Sequence, residues 1–152
     1  MADLVATQEL TRYLHDHIPL TRHMGIVVTE CSGERVVLSA PLEPNVNHRE
    51  TAFGGSLSGA AILAGWTWLH ARLLPCGHRH RLVIHESVTH FENPVEGPFE
   101  AVCDSPPADE FDRFLTMFNR RGKARLTLES RILCGETVAA RHTGRYVALR
   151  GA

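Results

Sequence analysis

A chain of 152 residues, 43% hydrophobic and 22% charged, is long enough for one domain with a sizeable core and ordinary for a globular protein. A formal charge of −1 and a pI of about 6.8, with no basic run interleaved with aromatics, exclude a nucleic-acid footprint. The start, Met1-Ala2-Asp3-Leu4-Val5-Ala6, has neither a basic nor an apolar signal region, so the chain is expected in the cytoplasm. Cys31, Cys76, Cys103 and Cys134 form no C-x-x-C pair, which argues against a zinc ribbon or dithiol motif and for reduced, mostly buried thiols.

Leu10, Tyr13, Leu14 and Ile18 recur at helical spacing ahead of Pro19 and predict a short amphipathic helix. Residues 24–31 read as a strand, Ser32-Gly33-Glu34 as a turn, and residues 35–40 as a second strand that stops at Pro41. Residues 54–74 then predict a helix of about 31 Å whose apolar residues go all the way round, so it is buried on most sides. Ser56, Ser58 and Thr67 interrupt its apolar run and His70 and Arg72 close it, short of the roughly 20 uniformly apolar residues of a membrane span. Gly54, Ser58, Ala61 and Gly65 form a narrow stripe along it over which a sheet can close.

Pro75-Cys76-Gly77 breaks the helix, and residues 81–91, rich in β-branched side chains, predict a third strand. Strict alternation puts Leu82, Ile84, Glu86, Val88 and His90 on one face and Val83, His85, Ser87, Thr89 and Phe91 on the other. Residues 99–104 make a fourth strand. After Pro106-Pro107, Phe111, Phe114, Leu115 and Phe118 form the apolar stripe of a second amphipathic helix, closed by Arg120-Arg121-Gly122. Two further strands follow, alternating through residues 124–134 and 138–149 with Gly135 between them. Six antiparallel-type strands and one buried helix describe a single α+β domain over residues 1–152, with hairpin pairing for the first and last strand pairs.

The stretch from Asn45 to Ser56 is where chemistry is expected, because a polar run and a Gly-Gly pair open directly into the long helix. A helix start carries N–H groups without intrahelical acceptors and a partial positive charge, and glycines let a carbonyl or phosphate oxygen come close. A helix cap with a tight turn is the plain structural alternative.

Asn45-x-Asn47, Thr51-x-Phe53-Gly54-Gly55-Ser56, the helix with Trp66, Pro94-Val95 and Gly144-x-Tyr146-Val147 together resemble the hotdog thioesterase superfamily. The resemblance is nearest to the thioesterase-like family that also occurs as the C-terminal domain of some bacterial acetyltransferases. It implies the hotdog fold, an antiparallel sheet wrapped around the long helix, and acyl-thioester hydrolysis on acyl-CoA or acyl-carrier protein without metal or organic cofactor. It also implies a homodimer or dimer of dimers, with sheets side by side and sites at the interface. Against the family pattern, Phe53 stands where a His is usual, Glu50 where a Gly is usual, and Ile62 where a helix carboxylate is expected.

A thioester hydrolase must polarise a carbonyl and deliver an activated water. Gly54 and Gly55 N–H groups suit the first task; Glu50, His48 and Asn47 are the candidates for the second, Asn47 only by positioning the water. Asn45, Thr51, Phe53, Gly54, Ser56 and Ser58 complete the expected substrate-binding set, the serines also serving as ordinary helix-start residues. Cys76, His78, His80, His85 and His90 cluster in sequence, but without metal-ligand spacing, so no metal site is expected. Arg120, Arg121, Lys123 and Arg125 are either a solvated helix end or phosphate contacts. Two rivals stand beside the hydrolase: a non-hydrolytic acyl-thioester binding or oligomerisation module, and a hotdog dehydratase, which needs a His and an acid paired across the site.

Overall fold

The computed structural model describes residues 5–77 and 79–151. His78, weighed above as a ligand, and the first four residues of the start lie outside the described residues. In chain order the elements are α1 (Thr7–His17), α2 (Leu20–Met24), β1 (Val27–Cys31), β2 (Arg35–Ala40), α3 (Gly54–Leu73), β3 (His80–Phe91), β4 (Phe99–Asp104), α4 (Ala108–Arg121), β5 (Lys123–Cys134) and β6 (Thr137–Arg150). The strands form one antiparallel sheet in the order β1-β2-β4-β5-β6-β3, wrapped against α3. The hairpin pairs are β1–β2 and β5–β6, as the sequence suggests. β1 is shorter than the strand expected over 24–31, because Leu20–Met24 forms a helical turn that Gly25 ends at φ 74.

The two sheet edges are treated differently. α1 covers the β1 edge with polar side chains: Val28 N–H donates to Thr11 Oγ1 at 2.9 Å, and His15 Nε2 lies 2.7 Å from Ile26 O. Among the described residues β3 pairs only with β6, and on this edge strand Val83 and Val88 are exposed.

The small-residue stripe of α3 meets β3 and β6. A Cβ on Gly65 would fall 2.3 Å from Tyr146 Oη, which donates to Ile62 O at 2.8 Å, so only glycine lets helix and strand approach this closely. Ser58 Oγ donates to Thr89 Oγ1 at 3.1 Å, and Gly54 faces the Phe91 ring. The strict alternation expected of the third strand fails at one point. A bulge between Ile84 and Glu86 shifts the phase, so Leu82 and Ile84 are followed on the inward side by Ser87, Thr89 and Phe91. Bulges re-aim side chains in this way. Phe114 and Phe118 of α4 are buried in the core and Phe111 packs edge-on against Trp68 at 5.1 Å, so the phenylalanine stripe is core.

At the far end of α3, His70 is buried against the rings of Tyr13 and Trp66 (centroids 4.6 and 4.8 Å), with its Nδ1 3.1 Å from His80 Nε2. Burial first, then the neighbouring His80 and His17, push its pKa from 6.5 down to about 4. The unfolded chain therefore takes up a proton that the folded chain refuses. Stability is full above the ordinary histidine pKa and falls as pH drops from 6.5 towards 4, by up to about 3 kcal/mol. His142, whose Nε2 lies 2.8 Å from Ser87 Oγ, is pushed in the same direction by burial. Urea melts across this range should show the decline, and His70→Gln should flatten most of it; equal stability at both ends would contradict the assignment.

Candidate active site

The segment ahead of α3 is a closed loop built by its own side chains. Asn45 is 2% exposed, and its amide donates to Met24 O at 2.9 Å and Pro41 O at 2.8 Å, tying the loop to the ends of α2 and β2. Phe53 N–H returns to Asn45 O (2.7 Å), Val46 bridges Ala52, and Ala52 N–H reaches Val95 O (2.9 Å). Asn47 spends both sides of its amide inside the loop. Its Nδ2 donates to Thr51 Oγ1 (2.9 Å) and Ala52 O (3.4 Å), and its Oδ1 accepts from the N–H groups of Arg49 (2.8 Å) and Thr51 (3.3 Å). Asn45, Asn47 and Thr51 thus hold the loop's shape. His48, Arg49 and Glu50 stand exposed at its tip. Glu50 has φ 64, the left-handed region that favours glycine, which gives a physical reason for the Gly usual at this place in the resemblance.

The loop delivers a bare helix start. Phe53 is the N-cap residue without a side-chain cap, and the N–H groups of Ser56 and Leu57 fold back onto Phe53 O (2.9 and 3.2 Å). Those of Gly54 and Gly55 have no acceptor among the described residues. Neither Glu50 nor Ser58 caps the helix, Ser58 being turned to Thr89. Two aromatic rings flank the glycines: Phe53, 57% exposed, lies over Gly55, and Phe91 faces Gly54. A cavity of about 340 Å³ opens beside them, walled by Leu57, Phe91, Pro94 and Val95. Two unclaimed donors at the positive end of a 20-residue helix, next to an apolar recess, suit a carbonyl oxygen with an acyl chain behind it.

The geometry leaves the helix carboxylate missing: α3 contains no Asp or Glu, and Ile62 is a half-buried packing residue. Glu92, not singled out from the sequence, lines the cavity with Gly54 and pairs with Arg141 Nε at 2.9 Å. Its position two residues before the Pro94-Val95 pair was the signal available. A larger cavity of about 880 Å³ lies between the start of α4 and Thr127, Glu129, Arg131 and Arg141, and contains none of the loop or helix-start residues. Among the described residues no group of three or more His, Cys, Asp or Glu is placed to hold a metal, and no helix is long and apolar enough to cross a membrane. Burial pushes the Cys103 thiol up to about 12, which keeps it unreactive.

A six-stranded antiparallel sheet around one long helix, with a glycine-paired helix start facing an apolar recess, defines a thioesterase-type domain of the hotdog fold. The family model described as “Putative thioesterase (yiiD_Cterm)” matches residues 7–150, and the chain belongs to that family. A protein of unknown function from Chlorobaculum tepidum TLS is 32% identical over 95% of this chain and 94% of its own, with a TM-score of 0.89. A “putative thioesterase” from Shewanella oneidensis is 25% identical over 94% of this chain and 96% of its own, with a TM-score of 0.83. A thioesterase from Haemophilus influenzae shares the fold at 12% identity and a TM-score of 0.74, covering 96% of this chain and 92% of its own. The family supports a general thioester hydrolase role.

Proposed function

We propose that the chain hydrolyses acyl thioesters of coenzyme A or an acyl carrier protein, with the reacting carbonyl at the start of α3. The observation that carries this reading is the pair of unclaimed Gly54 and Gly55 N–H groups beside the apolar cavity. As the carbonyl oxygen gains charge, these fixed donors stabilise it more than they stabilise the substrate, which is the differential binding that catalysis requires. Asn45, Asn47 and Thr51 keep the loop in place, and Phe53 and Phe91 shield the carbonyl from bulk water. The products are a carboxylic acid and a thiol, and water is the only co-reactant. Thiol release from short, medium and long acyl chains on both carriers tests this. Hydrolysis of none of them would remove the reading, and binding of acyl-CoA without thiol release would put the non-hydrolytic module in its place. That rival is favoured by one observation, the absence of a carboxylate on α3.

The assembly proposed is a homodimer or dimer of dimers built on β3. α1 covers the β1 edge, whereas β3 presents unpaired backbone groups and exposed Val83 and Val88 along 12 residues. Pairing with a second copy removes such an edge. Light scattering at micromolar concentration should give at least twice the 16.9 kDa of one chain; a mass of one chain would contradict it.

A further inference from the structure

The acyl chain of a thioester held at the start of α3 has two ways to run, into the recess beside the glycines or into the gap between α3 and the sheet. That gap is filled at three levels along the small-residue stripe. Phe91 closes it at Gly54, two of its ring carbons lying 3.5 and 3.6 Å from where a Cβ would stand. Thr89 closes it at Ser58, whose Oγ donates to Thr89 Oγ1 at 3.1 Å, and the Tyr146 ring closes it at Gly65. On the α4 side, the buried rings of Phe114 and Phe118 stack at 6.0 Å and Phe111 lies against Trp68. The larger cavity is walled by Asp104, Glu110, Glu129, Arg131 and Arg141, charged groups that an alkyl chain would strip of water.

The recess remains. Its 340 Å³ lies near the lower end of small-ligand sites, which span about 300–1,000 Å³. Leu57 and Val95 form its floor and are buried in the core, so the chain cannot extend inward without displacing them. Asn93 stands in its lining with its amide turned to Val138 O (2.9 Å), and methylenes that pass beyond the recess return to water. We propose that the protein prefers short- and medium-chain acyl thioesters, and that Phe91 sets the limit by plugging the gap at Gly54. The proposal rests on the reading of the α3 start as the thioester site. Each methylene that the recess buries multiplies kcat/KM about fourfold, and each one beyond it adds nothing. The dependence on chain length therefore rises and then breaks. Removing the Phe91 ring joins the recess to the gap as far as Thr89. Phe91 is 56% exposed at the end of β3, so the fold tolerates its loss.

The test is kcat/KM for acetyl-, butanoyl-, hexanoyl-, octanoyl-, dodecanoyl- and palmitoyl-CoA, measured on the full-length wild type and on Phe91→Ala, with a thermal melt of each. The wild type should reach its maximum at octanoyl or below. Phe91→Ala should raise the dodecanoyl-to-hexanoyl ratio about tenfold or more, whatever happens to the absolute rates. Phe91→Tyr keeps the plug and should hold the wild-type ratio within about twofold. A ring that only shields the carbonyl would, when removed, lower every chain length alike. A wild-type kcat/KM that climbs through to palmitoyl, or a Phe91→Ala ratio within about twofold of the wild type, overturns the proposal and leaves the thioester reading standing. No turnover by the wild type on any acyl-CoA or acyl-carrier protein overturns both.

Discussion

Gly55→Val is expected to lower kcat/KM by about 10²- to 10³-fold, the loss that follows removal of an oxyanion donor. A Cβ at Gly55 would fall 2.4 Å from Phe53 Cε2, but Phe53 is 57% exposed and its ring can swing outward, so the variant should fold. What changes is access. A branched side chain on the first turn covers the N–H groups of Gly54 and Gly55, which have no other acceptor among the described residues. Turnover measured beside a thermal melt separates the two effects. A folded Gly55→Val with undiminished turnover would remove the oxyanion role from this helix start.

Asn47→Ala and Glu50→Gly should move stability in opposite directions, although the residues sit in one loop. Asn47 makes four hydrogen bonds within it, and their loss should cost about 1–3 kcal/mol. Because Gly54 and Gly55 are positioned by that loop, turnover should fall about tenfold with it. Glu50 holds φ 64, so replacement by glycine should relieve backbone strain and stabilise by about 0.5–1 kcal/mol. Glu50→Gln, which leaves the backbone alone, should change turnover by less than about threefold. Thermal melts and thiol release on the same preparations decide this. An Asn47→Ala that melts like the wild type yet has lost turnover would mean that the amide holds the reacting water; a Glu50→Gln that has lost turnover would place the base at the loop tip.

The fold was legible because its signals are local and repeated. The long, almost uncharged apolar run of α3, the alternation in β5 and β6, and the glycines and prolines between them give element type and order. α2 was not legible, since Leu20–Met24 is a helical turn of five residues with no periodicity to read. The face assignment in β3 failed at Ser87, Thr89 and Phe91 because a bulge costs one residue and leaves no mark in composition. At the candidate site, the two glycines could be read from their place ahead of an apolar helix. Asn45 and Asn47 could be named, but the sequence reads them as substrate-binding and water-positioning candidates, because a side chain spent on its own loop looks in sequence like one aimed at a substrate. The segment 91–95 could not be placed at the site from sequence, because only the fold brings the end of β3 beside the start of α3.

The most direct measurement is a crystal structure with an acyl-CoA analogue in which a methylene group replaces the thioester sulfur, leaving a ketone that water cannot cleave. The account expects the ketone oxygen within about 3.2 Å of the Gly54 or Gly55 nitrogen, with the acyl chain against Leu57, Phe91 and Val95. An analogue bound elsewhere on the molecule, with its carbonyl away from the start of α3, would contradict it.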